Sequence, residues 1–414
     1  MQDIVFEDPY EFVPAHHGTW WPWWLERIVG WHLRRSYRLE SVDVRGVARL
    51  RASLDGGDGI ILAPNHSRPS DPAILGNIAV ASGHHLFAMA SWNVFKGSGL
   101  QTFLCRRLGA FSIYREGLDR TALNYAIDIL ARAERPLVVF PEGMISRTND
   151  RLSELQEGLS LMARAAARKR AQEEPAGRVV VHPVAIKYRF DGDLASSVEP
   201  VLEAIESRLS WQSQAELPVL GRIDRIGRAL LGLKEMEYQG EVSAGSVFDR
   251  RDRLVETILG PLEEEWCGGR SDGGIVARVK RLRSEILPGM VEKQVDETER
   301  QRRWKQLADC YLAQQLSLYP TDYVQDGQVP ERVLETIERF EEDLTDVATP
   351  HGPMTVLVEI GESIEVPARR DRSARGDVVM ERLQGDLVGM LRRLSEEIAH
   401  TRRGKTGQKQ DSTA

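Results

Sequence analysis

Short apolar runs closed by turn residues recur through the first half of the chain. Gly59-Ile60-Ile61-Leu62-Ala63 reads as a buried strand that Pro64 and Asn65 end. Leu108 to Tyr114 is a second such strand, Val138-Val139-Phe140 a third, and Val180 to Ile186 a fourth. Behind Asp119 and Arg120, Leu123, Ile127 and Leu130 recur at helical spacing and predict a helix with those three on its core face. The charges at its start are most simply capping and solvated surface. The pattern predicts an α/β fold: a mixed, mostly parallel sheet flanked by helices.

Residues 192–353 lack strand-like alternation and read as helices with acidic linkers. Leu254, Ile258 and Leu262 mark one helical stripe, and Val333, Ile337, Phe340 and Leu344 another, with loops near Gly268 and Gly273. A strand then returns at Met354 to Ile364. The last helix carries Val379, Leu383, Leu387, Met390, Leu394 and Ile398, a stripe suited to packing on a sheet. This order predicts an all-helical module, 192–353, inserted into one α/β domain made of 44–191 and 354–400. A polar tail, 401–414, is expected to be disordered.

Composition narrows the class. With 414 residues, 42% of them hydrophobic, the chain is long enough for a large core and an additional domain. A net charge of −7 argues against nucleic acid. Cys105, Cys267 and Cys310 lack paired or metal-like spacing, which fits a reducing compartment, and no metal site is expected. No apolar run reaches 18 residues, and Asp3, Glu7 and Asp8 do not suit a signal peptide, so no transmembrane helix is expected. Residues 1–43 form an N-terminal segment rich in tryptophan and arginine, and from Trp20 to Leu50 the chain runs against the acidic average, with Arg27, Arg34, Arg35, Arg38, Arg45 and Arg49 against Glu26, Glu40 and Asp43. Arg27, Arg34, Arg35 and Arg38 interleave with or follow Trp20, Trp21, Trp23, Trp24 and Trp31, as in a helix lying flat on an anionic bilayer. The competing reading packs Trp24, Ile28 and Trp31 on the domain, since their spacing suits either.

Candidate chemistry centres on His66 and Asp71, five residues apart in a loop at the carboxyl end of the first apolar strand, where α/β folds favour active sites. An aspartate that accepts the Nδ1 proton fixes the tautomer and leaves Nε2 to take a proton from a hydroxyl, which suits acyl transfer. The pairs His16-His17 and His84-His85 lack ligand spacing on one face, and His182 reads as structural. Ser67 and Ser70 lie outside any nucleophile-elbow context, which disfavours a covalent serine intermediate.

With Leu108 to Arg115, Phe140-Pro141-Glu142-Gly143 and Val181 to Ile186, the His66 block resembles the glycerolipid acyltransferase family, which includes 1-acylglycerol-3-phosphate and glycerol-3-phosphate acyltransferases. The likeness spans roughly Val44 to Phe190. It implies a catalytic NHxxxxD block at Asn65, His66 and Asp71, with Asn65, Arg115, Phe140, Pro141, Glu142 and Gly143 at the acceptor site. The chain departs from the family pattern at Met144 and Ile145, before Ser146 and Arg147, and at Gln156 and Glu157, where a cation is usual. Arg115 and Arg147 remain as bidentate phosphate ligands, with Lys187 a weaker third. Glu142 is expected to orient an arginine or meet an acceptor hydroxyl. Amides near Asn65 or Gly143 are candidate oxyanion donors, and Phe87, Met89, Trp92, Val94 and Phe95 are either an acyl channel or core.

The resemblance implies transfer of a fatty acyl group from acyl-CoA or acyl carrier protein to a hydroxyl of lysophosphatidate or glycerol 3-phosphate. It implies no cofactor beyond that cosubstrate, and a cytoplasmic place on the inner face of the membrane. The alternatives are a non-phosphate lipid or amphiphilic alcohol as acceptor, and a non-catalytic membrane adaptor on the same fold.

Overall fold

The computed structural model describes residues 7–172, 176–324, 329–369 and 376–411, with side chains through residue 403. They divide into two compact units: Phe12–Ile113, Arg120–Gly192 and Gly352–Ala414 form one, and Met1–Glu11, Tyr114–Asp119 and Asp193–His351 form the other.

The first unit is α/β. In chain order it contains α1 (Trp20–Tyr37), β1 (Leu39–Arg45), α2 (Val47–Asp55), β2 (Gly59–Pro64), the single turn α3 (Asp71–Ile74), α4 (Gly76–Ser82) and β3 (Phe87–Ser91). There follow α5 (Gly99–Arg107), β4 (Ala110–Ile113), α6 (Arg120–Arg132), β5 (Leu137–Val138), α7 (Gly158–Arg170) and β6 (Val179–Phe190). After the other unit's residues come β7 (Met354–Ile360), β8 (Ile364–Glu365) and a C-terminal helix, Val378–Asp411. The strands lie in the order β1-β7-β6-β2-β5-β3-β4, with β8 on β6. Every neighbouring pair is parallel except β6 with β7 and β6 with β8, so the sheet is mixed and mostly parallel.

β2 is buried at every position and β6 at nearly every one, because helices cover both faces of a central parallel strand. Ile61, Ala63, Val179 and Val181 share a core with α6, α7 and the C-terminal helix. Gly59 opens β2 because a Cβ there would meet the Leu130 carbonyl oxygen at 2.3 Å. Phe87 belongs to this same core and Met89 packs against it.

Three details differ from the sequence reading. α6 turns Ala122, Ala126, Ile129 and Leu130 inward and leaves Leu123 and Ile127 only half-buried. Small alanines on α6 and on α7 (Ala163, Ala166, Ala167) let the two helices approach closely, which outweighs the larger residues' preference. The C-terminal helix continues to Asp411 rather than dissolving at Thr401, since each residue added to an existing helix costs little and arginine, lysine and glutamine favour it. Residues 412–414 lie outside the described residues. In α1 it is Pro22 and Leu33 that are buried, while Trp24, Ile28 and Trp31 are 51, 51 and 67% exposed, so the packing reading of those three fails.

The second unit is helical: α8 (Leu194–Arg208), α9 (Val219–Gln239), α10 (Val247–Cys267), α11 (Ile275–Ile286), α12 (Pro288–Val291), α13 (Glu297–Ser317) and α14 (Pro330–Thr345). Leu254, Ile258, Leu262, Leu282, Ile286, Leu307 and Cys310 share its core, against which Tyr114 packs. Charged residues are buried in pairs. Arg222 meets Glu206 at 2.7 Å, Arg250 meets Glu235 at 2.6 Å, and Arg278 meets Glu263 at 2.7 Å. The Trp304 indole donates to Glu7 at 2.6 Å, and Tyr10 stacks on Tyr114.

Candidate active site

β2 and β5 are parallel neighbours, so the loops that follow them leave the same edge of the sheet. β6 runs on past the end of β2, and two asparagines take up the backbone groups that β2 no longer reaches. The Asn65 carboxamide accepts from Ile186 N at 2.7 Å and donates to Ile186 O at 3.0 Å. Asn149 does the same at Tyr188, accepting from N at 2.8 Å and donating to O at 2.7 Å. A carboxamide carries one acceptor and one donor side, as a backbone partner would. Asn65 thus holds the loop to β6, and at 1% exposure it presents nothing to a ligand.

His66 lies on the loop so anchored. Its Nδ1 is 2.9 Å from Asp71 Oδ2, and Asp71 is fully buried at the start of α3. The same oxygen accepts the amides of Ser67 at 2.7 Å and Arg68 at 2.9 Å, while Oδ1 accepts the hydroxyl of Tyr188. Tyr188 Oη also lies 2.7 Å from Ser70 Oγ. Burial, and then the negative charge of Asp71, push the Tyr188 phenol well above its ordinary pKa, so it stays a donor. Held in this way the carboxylate faces Nδ1, and Nε2 of His66 bonds to nothing among the described residues. The imidazole stacks on Phe140 at 4.0 Å and is 13% exposed.

Phe140, Pro141, Glu142 and Gly143 form a turn in which Gly143 N donates to Phe140 O at 3.1 Å. Proline suits its second position, and Gly143 takes a φ of 69°, which L side chains avoid. Glu142, 1% exposed, neither orients an arginine nor faces a ligand. Its Oε1 accepts His66 N at 2.6 Å and its Oε2 accepts Ser153 N at 2.8 Å, so it ties the two loops together. Burial pushes its carboxyl up, and those two amides moderate the rise. Ser146 closes the junction from the other side: its amide and hydroxyl both donate to His66 O, at 2.7 and 3.0 Å. Arg147 follows directly with a φ of 59°, a conformation uncommon for a residue with a side chain.

Three expectations change here. The amides of Asn65 and Gly143 are engaged with Val184 O and Phe140 O, so neither is available to an oxyanion. Lys187 is buried in an ion pair with Asp150, which removes it as a phosphate ligand. His66, Asp71, Asn65, Phe140, Pro141, Glu142, Gly143 and Arg147 all come together in the α/β unit, whereas Arg115 belongs to the helical unit. His182 is structural, held between Ser53 Oγ and Gly361 O. Tyr188, Asn149 and Ser146 were missed, and nothing local in the sequence marks them as site residues.

Residues 41–187 match the family model described as Acyltransferase. That stretch is similar to an acyltransferase domain. It starts in β1, ends within β6, and contains the His66 loop and the Phe140 turn. No curated protein matches the chain. Among the described residues no helix is long and apolar enough to cross a membrane, and no cluster of histidine, cysteine or carboxylate side chains is arranged to hold a metal.

Proposed function

We propose that this chain transfers a fatty acyl group from an acyl thioester, carried on coenzyme A or acyl carrier protein, to a hydroxyl of a glycerophosphate-type lipid. The observation that carries the reading is the buried Asp71 carboxylate on His66 Nδ1, within the matched acyltransferase domain. Nε2 removes the proton of the acceptor hydroxyl as its oxygen attacks the thioester carbon; the C–S bond breaks, and the thiolate leaves and is protonated. Asp71 stabilises the imidazolium formed on the way. Arg147, on the loop that Ser146 fastens to His66, is the guanidinium offered to the acceptor's phosphate.

A neutral lipid or amphiphilic alcohol is the second reading of the acceptor, favoured by the engagement of Lys187 with Asp150. The test is acyl transfer to lysophosphatidate, glycerol 3-phosphate and a neutral lysolipid, by the wild type and by His66→Ala. Loss of at least about a hundredfold in rate on every acceptor, with an unchanged melting temperature, is expected for the variant. Wild-type rates retained without the imidazole would refute the mechanism, and no transfer by the wild type to any acceptor would leave the adaptor reading. A preference for the neutral lysolipid would select the second acceptor class.

A further inference from the structure

Within the α/β unit α5 is a helix that buries none of its residues, although it carries Leu100 at 67% exposure and Phe103 at 37%. A helix of nine residues gains little from its own hydrogen bonds and ordinarily depends on a covered apolar side. α5 lies against α1. The Phe103 ring meets the Trp21 indole edge-on with centroids 5.2 Å apart, and the Arg107 guanidinium lies over both rings, 5.6 Å from Trp21 and 5.0 Å from Phe103. Arg106 fastens α5 to the segment that leads into α1: its Nε donates to Pro14 O at 3.1 Å, and its carbonyl accepts His16 N at 3.0 Å. Charge follows the same boundary. The chain has 62 aspartates and glutamates, yet residues 72–113, from α3 through α4, β3 and α5 to the end of β4, contain none, while they include Lys96, Arg106 and Arg107. α1 has one acid, Glu26, which is turned to His85 Nδ1 at 2.9 Å and is 12% exposed.

We propose that α5 joins α1 in one face that seats on an anionic bilayer, with Leu100 and Phe103 entering the headgroup boundary beside the indoles. A surface cleared of carboxylates and edged by arginines is matched to a partner that is negative throughout. A protein partner would instead be met by local pairs of both signs. Indole rings, apolar side chains and guanidinium groups are also the set that the headgroup level favours. The tryptophans mark α1 in the sequence; α5 becomes part of the same face only through the Trp21–Phe103 contact. β3 runs parallel to β5, and β5 to β2, so the chain that leads from β3 into α5 leaves the sheet at the edge that also carries the His66 loop. The face therefore begins at that edge. The inference concerns where the chain meets lipid and does not rest on the acyl-transfer reading.

The experiment uses the full chain and measures sedimentation with vesicles of phosphatidylcholine alone and of phosphatidylcholine mixed with phosphatidylglycerol. The wild type should bind the mixed vesicles at least about tenfold more tightly, and added salt should narrow the difference. Leu100→Glu, which returns a carboxylate to the face, should weaken binding to the mixed vesicles at least about tenfold, and Leu100→Trp should strengthen it. Both variants should melt within a few degrees of the wild type, because position 100 is exposed. Arg107→Gln should weaken binding to the mixed vesicles about fivefold and leave binding to phosphatidylcholine unchanged. His66→Ala should bind vesicles as the wild type does, which separates this inference from the catalytic one. Equal binding of the wild type to both kinds of vesicle, or undiminished binding by Leu100→Glu, would overturn the proposal. So would a wild type that is dimeric without lipid and becomes monomeric in Leu100→Glu with vesicle binding intact, since the face would then belong to a second copy of the chain.

Discussion

At Asp71 one carboxylate receives the Ser67 and Arg68 amides, the Tyr188 hydroxyl and the His66 imidazole. Tyr188→Phe removes one donor while leaving the ring in place. The carboxylate then loses one of the donors that aim it at Nδ1, so kcat should fall about fivefold, the rate equivalent of the ~1 kcal/mol a hydrogen bond contributes, with the acceptor KM little changed. An unchanged kcat with a lowered melting temperature would reduce Tyr188 to packing. The His66–Asp71 pairing was legible because a local turn brings the two residues together and the Ser67 and Arg68 amides lock it. Tyr188 and Asn149 were not legible, since they reach the site only through the strand pairing of β6; in sequence Tyr188 is one more residue of an apolar strand.

Between elements a buried polar link joins α7 to the C-terminal helix. Asp377 receives Arg164 through Nη1 at 2.5 Å and Nη2 at 2.6 Å, and Ser160 Oγ at 2.6 Å. It also accepts the Val379 and Met380 amides that open the helix. Burial opposes its ionisation, but Arg164, Ser160 and the Met380 amide prevail and hold the carboxyl well below its usual range. A depressed pKa stabilises the fold above the unfolded value of 3.8, and the contribution is lost as the pH falls through the folded value. Asp377→Asn should therefore cost about 3–5 kcal/mol in urea unfolding at pH 7. It should cost less at pH 2 than at pH 7, because the wild type surrenders the same energy progressively as the pH falls from 3.8 toward the folded value. An equal loss at both pH values would mean that the site acts through shape alone. The apolar stripe of this helix was readable from the sequence because its large residues repeat without interruption. The inward face of α6 was not, because alanine carries little hydrophobic signal and its value lies in close approach.

For the whole molecule, the sequence reading located the passage into helices after Gly192 and the return of a strand at Met354. It placed Arg115 with the α/β residues because chain continuity is all that a sequence offers there. α1 leaves Trp20, Trp23, Trp24, Ile28 and Trp31 exposed, with Arg27 over the Trp23 ring at 3.5 Å and Arg34 and Arg35 in its last turn. Indole rings beside cations favour the boundary of an anionic bilayer. Replacing Trp23, Trp24, Ile28 and Trp31 by alanine should reduce sedimentation with phosphatidylglycerol vesicles at least tenfold and leave the melting temperature within a few degrees, since exposed positions contribute little to stability. Undiminished sedimentation would leave α1 with no part in membrane binding. The position of β7 has a consequence for biosynthesis. It separates β1 from β6, yet it is made only after the whole helical unit has been translated. Until the ribosome passes Ile360, β1 has no strand beside it and one flank of β6 stays open, the condition in which nascent sheets pair wrongly with other chains. A helper that shields these edges during synthesis is therefore most needed in the interval between Leu194 and Met354.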